Sequence, residues 1–201
     1  MRAVIIGNGS VGDYDKIKSY IKKDDFIICA DGGYYHAVKM GICPNVIIGD
    51  FDSAEIPKTD SKLIHYPVKK DFTDGELCLE YAVSHGADDI LLLAMTGTRL
   101  DHTINNIFML TKCGGTIIDD NNEIYILKDK IELYGKKGKT LSVIPVYGDL
   151  EGISNEGMEY PLNNEKLEFG TCRGNSNVIT EDYCSVSIKK GIGIVMVNNG
   201  E

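Results

Sequence analysis

The first half of the chain alternates short apolar runs with amphipathic segments. Each apolar run has the length of a strand and ends at polar or glycine residues, which predicts buried β-strands at Ala3–Ile6, Phe26–Cys29, Val46–Ile48, Leu63–Pro67 and Ile90–Ala94. Apolar residues at helical spacing predict helices over Asp13–Lys23, Tyr34–Met40, the segment from Thr73 to Gly86, and Thr103–Cys113. Strands that alternate with helices indicate an open parallel sheet of the Rossmann-like α/β class.

The helix that begins at Thr73 has the strongest start signal. Thr73 and Glu76 have the spacing of a capping box, in which the threonine hydroxyl accepts a backbone hydrogen bond and the glutamate side chain reaches back. Gly86 marks the end of this helix. The sequence therefore places a helix N-terminus at the end of the acidic segment Lys70–Asp74.

The pattern changes after about residue 115. Glycine, asparagine and proline separate short segments without helical periodicity, and strands are predicted at Thr116–Asp119, Glu123–Leu127, Thr140–Pro145, Lys166–Phe169, Cys184–Ile188 and Gly193–Val197. Successive short strands are typical of an antiparallel sandwich. The polar stretch Lys128–Lys130 marks the predicted boundary between an α/β domain, 1–128, and an all-β sandwich domain, 129–201.

Composition narrows the possible function classes. Of the 201 residues 43% are apolar, enough for an ordinary core, and the net charge of −9 argues against a nucleic-acid partner, which needs basic patches. No apolar run approaches the ~18 residues of a membrane span, and the apolar start is too short for a signal peptide. The six cysteines form no CxxC pair, so we expect structural thiols in a cytoplasmic protein.

Four acidic segments lie where the pattern places strand ends. They are Ala30–Gly33, Gly49–Ser53, Lys70–Asp74 and Gly97–His102. The carboxyl ends of parallel strands share one edge of a sheet, and open α/β sheets bind their ligands at that edge. We therefore expect the four segments to converge on one crevice.

Converging carboxylates repel one another unless a cation lies between them. The available ligands are carboxylate oxygens, which favour Mg²⁺, an ion that also binds substrate phosphates; the predicted metal ligands are Asp50, Asp52 and Asp74. Asp50 and Asp52 are two residues apart and would face the same side of an extended segment. Arg99 and Lys70 are the cations expected to contact other phosphate oxygens.

A rival interpretation rests on the N-terminal segment Gly7–Gly12. It has the GxGxxG spacing after a strand and before a helix, and Asp31 follows at the end of the next strand. This arrangement fits the fingerprint of an NAD-binding oxidoreductase. Such a domain normally has about six parallel strands, whereas this sequence changes early to an all-β pattern. The rival also gives the Asp50, Asp52 and Asp74 cluster no role, so we interpret the glycines as a tight turn that approaches a nucleotide.

The same acidic segments resemble the thiamine pyrophosphokinase family. The family's Ala-Asp-Gly-Gly, Gly-Asp-Phe-Asp-Ser, Asp-x-Thr-Asp and Arg-Leu-Asp-His elements stand here in order, at Ala30–Gly33, Gly49–Ser53, Asp71–Asp74 and Arg99–His102. The C-terminal half is similar as well, at Gly157–Leu162, Ser176 and Asn177. The resemblance covers nearly the whole chain, and four ordered motifs are more specific than any one alone.

The resemblance implies a homodimer of two-domain subunits that transfers the pyrophosphoryl group of Mg-ATP to thiamine, giving thiamine diphosphate and AMP. It also implies Mg²⁺ on the three aspartates named above, and thiamine bound near Ser176 and Asn177, between the α/β domain of one chain and the sandwich of its partner. The nucleotide-binding residues expected from the motifs are Asp31, Gly32, Gly33, Lys70, Thr73, Arg99, Asp101 and His102. The expected catalytic residues are Asp71, Asp74, Arg99 and Asp101. Among these, Asp71 is the candidate to orient or deprotonate the thiamine hydroxyl.

The chain departs from the family in one respect, because it has no tryptophan. Members often place a tryptophan near the thiamine ring in a late strand, where this sequence has Gly193–Met196. Aliphatic packing, or a tyrosine elsewhere, would then replace ring stacking. A pyrophosphokinase for a pterin alcohol and a non-catalytic nucleotide sensor remain alternatives, and assays for AMP with and without thiamine separate them. His102 is expected either to cap a helix or to donate to a phosphate.

Overall fold

The computed structural model describes residues 1–51 and 59–199. Contacts divide the chain into two units, Met1–Asp120 and Asn121–Glu201. The first unit is of the α/β class and the second consists of antiparallel strands, which confirms the predicted fold class. The domain limits of 1–128 and 129–201 stay a prediction.

The first unit is built on six parallel strands. They are β1 (Arg2–Ile6), β2 (Phe26–Ala30), β3 (Val46–Gly49), β4 (Lys62–His65), β5 (Asp89–Leu93) and β6 (Thr116–Ile118). Their order across the sheet is β6-β5-β1-β2-β3-β4, with all neighbours parallel. The direction of strand addition reverses between β1 and β5, the kind of position at which open α/β sheets form their ligand crevice.

Among the described residues of this unit, four helices connect the strands. They are α1 (Tyr14–Ser19), α2 (Gly33–Lys39), α3 (Asp74–Ser84) and α4 (Leu100–Cys113). α1 is shorter than predicted and ends at its C-cap, Tyr20. α4 begins at Leu100, before the predicted Thr103, and the Thr103 hydroxyl accepts a hydrogen bond from the Gly97 N–H at 3.1 Å. No helix in the described ranges is long and apolar enough to cross a membrane.

The central strands of this sheet are nearly continuous apolar runs because both of their faces are buried. Ala3, Val4, Ile5 and Ile6 of β1 are all fully buried. β4, at the edge of the sheet, is mostly exposed. The sheet core therefore fixes β1 and β5 firmly, and the segments that follow these two strands build the site described below.

The second unit consists of two antiparallel sheets. Its strands are β7 (Asn122–Leu127), β8 (Lys130–Tyr134), β9 (Thr140–Pro145), β10 (Leu150–Glu156), β11 (Glu165–Leu167), β12 (Asn177–Val178), β13 (Tyr183–Ser187) and β14 (Gly193–Asn198). They are ordered β12-β9-β14-β7 and β11-β10-β13-β8. Buried residues of both sheets, among them Leu141, Ile153 and Val195, form one core cluster, as in a sandwich.

Three strands of this unit, β8, β10 and β12, were not predicted from the sequence. β10 mixes polar residues with Gly152, whose φ of 66° lies in the left-handed region, and its register shifts at this point. β12 has two residues and exists through its pairing with β9. Such strands are defined by their partners and carry little local signal of their own.

Candidate active site

A cleft of about 520 Å³ lies at the carboxyl ends of the parallel strands. It is lined by the segments after β1 and β5, the ends of β2 and β3, and the starts of α3 and α4. The lining residues are Gly7, Asn8, Gly9, Ser10, Ala30, Asp31, Asp50, Val68, Lys70, Phe72, Thr73, Asp74, Gly75, Ala94, Met95, Thr96, Gly97, Thr98, Arg99, His102, Thr103 and Asn106. Each of the four acidic segments contributes to this list, so the convergence expected from the sequence is observed.

The glycine-rich segment after β1 packs against β5 and the segment that follows it. The N–H groups of Gly7, Gly9 and Ser10 donate to backbone carbonyls there at 2.7 to 2.9 Å. A Cβ on Gly9 would lie 2.2 Å from the Thr96 carbonyl oxygen, so only glycine fits. These three amides are already used within the protein, and the segment shapes the cleft wall through its close packing.

The amides at the start of α1 are occupied as well. The N–H groups of Gly12 and Asp13 donate to the Asp120 carboxylate at 2.5 and 2.9 Å. A pyrophosphate would take this position in a dinucleotide-binding fold. The carboxylate therefore argues against the oxidoreductase interpretation, whereas our objection from strand number was wrong, since the sheet has six parallel strands.

Three carboxylates and one ammonium meet inside the cleft. Lys70 Nζ lies 2.9 Å from Asp74 Oδ1 and 3.6 Å from Asp50 Oδ2. Burial raises the pKa of Asp31 above its usual value, and the charges of Asp74 and Asp50 raise this pKa further. A Cβ on Gly49 would lie 2.9 Å from the Asp31 Cβ, so glycine there permits this close approach. The cluster holds more negative charge than one ammonium neutralises.

The donor set is suited to a hard divalent cation. Asp74 Oδ1 is buried and pairs with the Lys70 ammonium at 2.9 Å without a well-aligned hydrogen bond. Carboxylate oxygens are the preferred ligands of Mg²⁺. Those residues include no set of three acidic, histidine or cysteine side chains arranged around one metal position. Asp52, the third predicted ligand, lies outside the described residues. Asp50 and Asp74 supply oxygen donors of the type that Mg²⁺ prefers, and the metal site itself stays a prediction.

α4 begins at the cleft with the predicted segment Arg99–His102. The Arg99 guanidinium donates two hydrogen bonds to the Asp101 carboxylate, at 3.0 and 2.7 Å, and these bonds lower the pKa of Asp101 to about 2. Arg99 and His102 line the cleft, while Asp101 lies outside its lining. Asp101 therefore positions the Arg99 guanidinium without lining the cleft itself. The catalytic role of Asp101 stays a prediction.

The segment before α3 places its predicted residues differently. Thr73 caps the helix, with its hydroxyl accepting from the Glu76 N–H at 3.2 Å. The Glu76 carboxylate does not complete the capping box, because it pairs with Lys112 Nζ at 2.9 Å. Asp71 is exposed and lies outside the lining of the cleft. Its proposed action on a hydroxyl stays a prediction.

Gly32 and Gly33 are buried at the start of α2 and lie outside the cleft lining. A Cβ on Gly33 would lie 2.0 Å from the Ile6 carbonyl oxygen, and one on Gly32 would lie 2.5 Å from Asn8 Nδ2. Both glycines therefore let the helix approach the end of β1. Nucleotide binding by these two residues stays a prediction.

Sequence reasoning missed several uncharged residues that line the cleft, among them Asn8, Thr96 and Asn106. The Thr96 hydroxyl donates to Asp119 Oδ2 at 2.9 Å, and the Asn106 amide donates to the Met95 carbonyl oxygen at 2.7 Å. Asn8 lies in the tight turn after β1. The only signal for Asn8 and Thr96 in the sequence was their place just after a predicted strand, since threonine and asparagine are common in any loop.

The second unit has a cavity of its own, of about 320 Å³. Asn177 lines it, while Ser176 does not. The Asn177 amide donates to the Tyr160 carbonyl oxygen at 2.7 Å and accepts from the Tyr160 N–H at 3.0 Å. The Ser176 N–H donates to Ser142 Oγ at 3.0 Å. Asn177 thus fixes the backbone of Tyr160, a largely exposed residue that lines the cavity.

Two family models match the chain in succession. Residues 17–126 match the model described as thiamin pyrophosphokinase, catalytic domain, and residues 125–193 match the model described as thiamin pyrophosphokinase, vitamin B1 binding domain. The first covers more than half of the chain and includes the whole acidic cluster. The second includes the cavity of the second unit.

Individual relatives agree with these models. The chain is 29% identical to a thiamine pyrophosphokinase of Bacillus subtilis over 96% of both chains, and 27% identical to one of Caenorhabditis elegans over 68% of this chain and 63% of that one. Among solved structures, it is similar to the thiamine pyrophosphokinase of Bacillus subtilis, with a TM-score of 0.89, 25% identity and full coverage of both chains. The enzyme of Geobacillus thermodenitrificans gives a TM-score of 0.88 and 27% identity, over 100% of this chain and 99% of that one.

Proposed function

This chain belongs to the thiamin pyrophosphokinase family, and we propose that the cleft at its parallel sheet is where it carries out the reaction of that family. As a member it is a diphosphotransferase, which moves the pyrophosphoryl group of ATP to thiamine. The observation that carries the assignment of the cleft is the pair Asp50 and Asp74 with the Lys70 ammonium between them.

The reaction requires an in-line displacement at the β-phosphorus of ATP. The thiamine hydroxyl oxygen bonds to this phosphorus, the bond from the phosphorus to the bridging oxygen of the α-phosphate breaks, and AMP leaves with that oxygen. The hydroxyl proton passes to a base, for which Asp71 is our candidate. Transfers of this type rely mainly on positioning and charge neutralisation, which a cleft of charged side chains supplies.

We propose that Asp50, Asp52 and Asp74 hold a Mg²⁺ ion. When bound, this ion would neutralise charge on the transferred group. Two features support the proposal. The donors are all carboxylate oxygens, and the carboxylates of Asp31, Asp50 and Asp74 lie close enough to affect one another, with one ammonium among them.

The phosphate oxygens that the cation leaves uncovered need other donors. We propose Lys70, Arg99, His102 and the capping segment at Thr73 for this role, because all four line the cleft. The Arg99 side chain is 69% exposed, so it can exchange Asp101 for a phosphate without breaking packed structure. Asp31, Gly32, Gly33 and Asp101 would shape and support this part of the site.

We propose that thiamine binds at the cavity of the second unit, in the region of Ser176 and Asn177. The match of residues 125–193 to a vitamin B1 binding domain supports this placement. Tyr160 is proposed to supply the aromatic ring that a tryptophan often supplies in the family, because its backbone is fixed by Asn177 and it lines the cavity. Titration of thiamine should then give a higher KM for Tyr160→Ala than for Tyr160→Phe.

We further propose that the enzyme is a homodimer in which each thiamine site is completed by the partner chain. A sandwich of this size has a small core and is commonly stabilised by a two-fold related copy.

We also propose that the enzyme is located in the cytoplasm. The six cysteines are all free thiols, which is typical of cytoplasmic proteins.

A product assay tests the proposed function. ATP and Mg²⁺ are supplied with thiamine, with a pterin alcohol or with no acceptor, and AMP is measured. We expect AMP and thiamine diphosphate in equal amounts in the arm with thiamine, and no AMP in the other two arms. AMP formed only in the arm with the pterin alcohol would show that this alcohol is the acceptor. A protein that binds ATP in a separate titration but forms no AMP in any arm would be a nucleotide sensor.

A further inference from the structure

Lys70 occupies the position between the two carboxylates that the proposed function assigns to a cation. Its ammonium lies 2.9 Å from Asp74 Oδ1 and 3.6 Å from Asp50 Oδ2. The Lys70 side chain is only 12% exposed. Neither Lys70 Nζ nor Asp74 Oδ1 has a hydrogen-bond partner of good geometry in the described ranges, so the contact is one of charge more than of aligned bonds.

A divalent cation would compete with this ammonium for the same oxygens. Mg²⁺ binds carboxylate oxygens at about 2.0–2.1 Å. A cation that close to Asp74 Oδ1 would repel an ammonium 2.9 Å from the same atom, because both are positive and the Lys70 side chain is largely buried. Each positive group therefore weakens the binding of the other at these oxygens.

We propose that Lys70 is a built-in counter-ion that neutralises Asp50 and Asp74 when no divalent cation is bound and gives way to the cation when it binds. This inference rests on the proposed function of the cleft. Lysine is suited to such an exchange, because its charge is carried on a flexible four-carbon stem. Since Lys70 itself lines the cleft, its displaced ammonium remains among the groups proposed to contact phosphate.

The exchange couples the cation to the nucleotide. Without phosphate, the displaced ammonium has lost its carboxylate partners, so cation binding is weakened. With phosphate present, the ammonium gains a new anionic partner and the cation binds more tightly. By linkage, the cation must strengthen nucleotide binding by the same factor.

The test measures metal affinity, not turnover. Mg²⁺ is titrated calorimetrically into the full-length protein, with and without a non-hydrolysable ATP analogue, for wild type, Lys70→Met, Lys70→Gln and Lys70→Arg. Lys69→Met is the matched control, because Lys69 is the exposed neighbour. Without nucleotide we expect both neutral variants to bind Mg²⁺ roughly tenfold or more tightly than wild type, since a competing positive charge is gone. Lys70→Arg and Lys69→Met should stay close to wild type.

Two further results follow from the same exchange. The ATP analogue should increase Mg²⁺ affinity by a larger factor in wild type than in the neutral variants. Thermal melting should show the neutral variants less stable than wild type in the absence of Mg²⁺ and stabilised more strongly by its addition, which also checks that they are folded.

Neutral variants that are folded and bind Mg²⁺ no more tightly than wild type would overturn the inference, and so would variants that bind none. AMP formation by the wild type is scored separately. An active wild type with unchanged metal affinity in the variants would remove only the counter-ion role. An inactive wild type would remove the proposed function, whatever the affinities are.

Discussion

At the scale of the residue, the cleft concentrates negative charge that ordinary protein surfaces avoid. Asp31, Asp50 and Asp74 lie close enough that the charges of two raise the pKa of the third. A purely structural role does not explain this arrangement, because repulsion between the carboxylates and the loss of their hydration both destabilise the folded protein. Side chains with a shifted pKa inside a cleft are typical of functional sites. The cluster therefore leads to a prediction for its aspartates.

We expect Asp50→Asn and Asp74→Asn to lower the rate of AMP formation on the order of 10³-fold or more while the protein remains folded. An amide keeps the size of the side chain and removes the charge that would hold a cation. Steady-state assays with thiamine and Mg-ATP measure the effect. Asp24→Asn, at an exposed position, serves as the control. Near-normal rates in both cleft variants would show that the metal assignment is wrong.

His36 contacts the glycine-rich segment after β1, which forms part of the cleft wall. Its Nε2 lies 2.9 Å from the Gly9 carbonyl oxygen, and its Nδ1 lies 2.8 Å from the Tyr14 hydroxyl. A carbonyl only accepts, so Nε2 carries a proton, and in the neutral ring Nδ1 accepts from the tyrosine hydroxyl. Burial lowers the pKa of His36 and so favours this neutral form.

A lowered histidine pKa has a definite effect on stability. The unfolded chain binds this proton more readily than the folded one, so the contribution of His36 is fully present above the ordinary pKa of about 6.5 and is lost as the pH falls towards the lowered value. We expect His36→Gln, which keeps a donor for Gly9 and does not titrate, to flatten the fall in unfolding free energy below about pH 6.5. Urea denaturation at several pH values measures this slope. His85→Gln, at an exposed histidine, is the control, and equal slopes in His36→Gln and wild type would contradict the account.

At the scale of the element, α2 and α3 begin in two different ways. α3 begins with a threonine cap that local sequence supplies. α2 begins with Gly33, whose place is set by the end of β1 and not by its own sequence neighbours. Gly33 and Gly75, each in the first turn of its helix, therefore differ: close packing requires glycine at position 33, whereas a Cβ at position 75 would meet only ordinary contacts.

We expect Gly33→Ala to destabilise the protein by about 1–3 kcal/mol or more, because the new methyl group would lie 2.0 Å from a backbone oxygen. Gly75→Ala in α3 should instead stabilise it by roughly 0.4–1 kcal/mol. The atoms nearest to a Cβ on Gly75 are at 3.5 Å or more, and alanine favours a helix. Urea denaturation of both variants measures the two signs. A stable Gly33→Ala protein would mean that α2 can move away from β1 at little cost.

At the scale of the whole molecule, the proposed partner chain leads to a complementation experiment. A chain with Asp74→Asn has a damaged cleft and an intact sandwich. A chain in which both Ser176 and Asn177 are replaced has an intact cleft and a damaged sandwich. If each thiamine site is shared between two chains, a mixed dimer has one intact site and one doubly damaged site. Random mixing makes half of the dimers mixed, so activity should recover to roughly a quarter of wild type once subunits exchange.

The control mixes Asp74→Asn with Asp50→Asn chains. Both damage the same half of the proposed site, so no recovery is expected from that mixture. Zero recovery in the first mixture, after subunit exchange is verified by mass, would remove the shared site and leave the diphosphotransferase activity standing.

The sequence by itself determined the features that depend on short windows. Strand β9 was predicted at its observed limits, Thr140–Pro145, and the Thr73 cap at the start of α3 was predicted as well, because alternation and cap spacing act over a few residues. It also determined that the four acidic segments would meet, since parallel strands share an edge. The segments were therefore predictable as a set.

Only the tertiary structure decided which side chains of those segments face the cleft. It places Asp31 and Asp74 in the lining while Asp71 and Asp101 lie outside. It also brings Asp120 to the start of α1 from more than a hundred positions away in the chain, which removed the rival nucleotide site. Contacts across such separations depend on how elements pack, and no local pattern in the sequence encodes them.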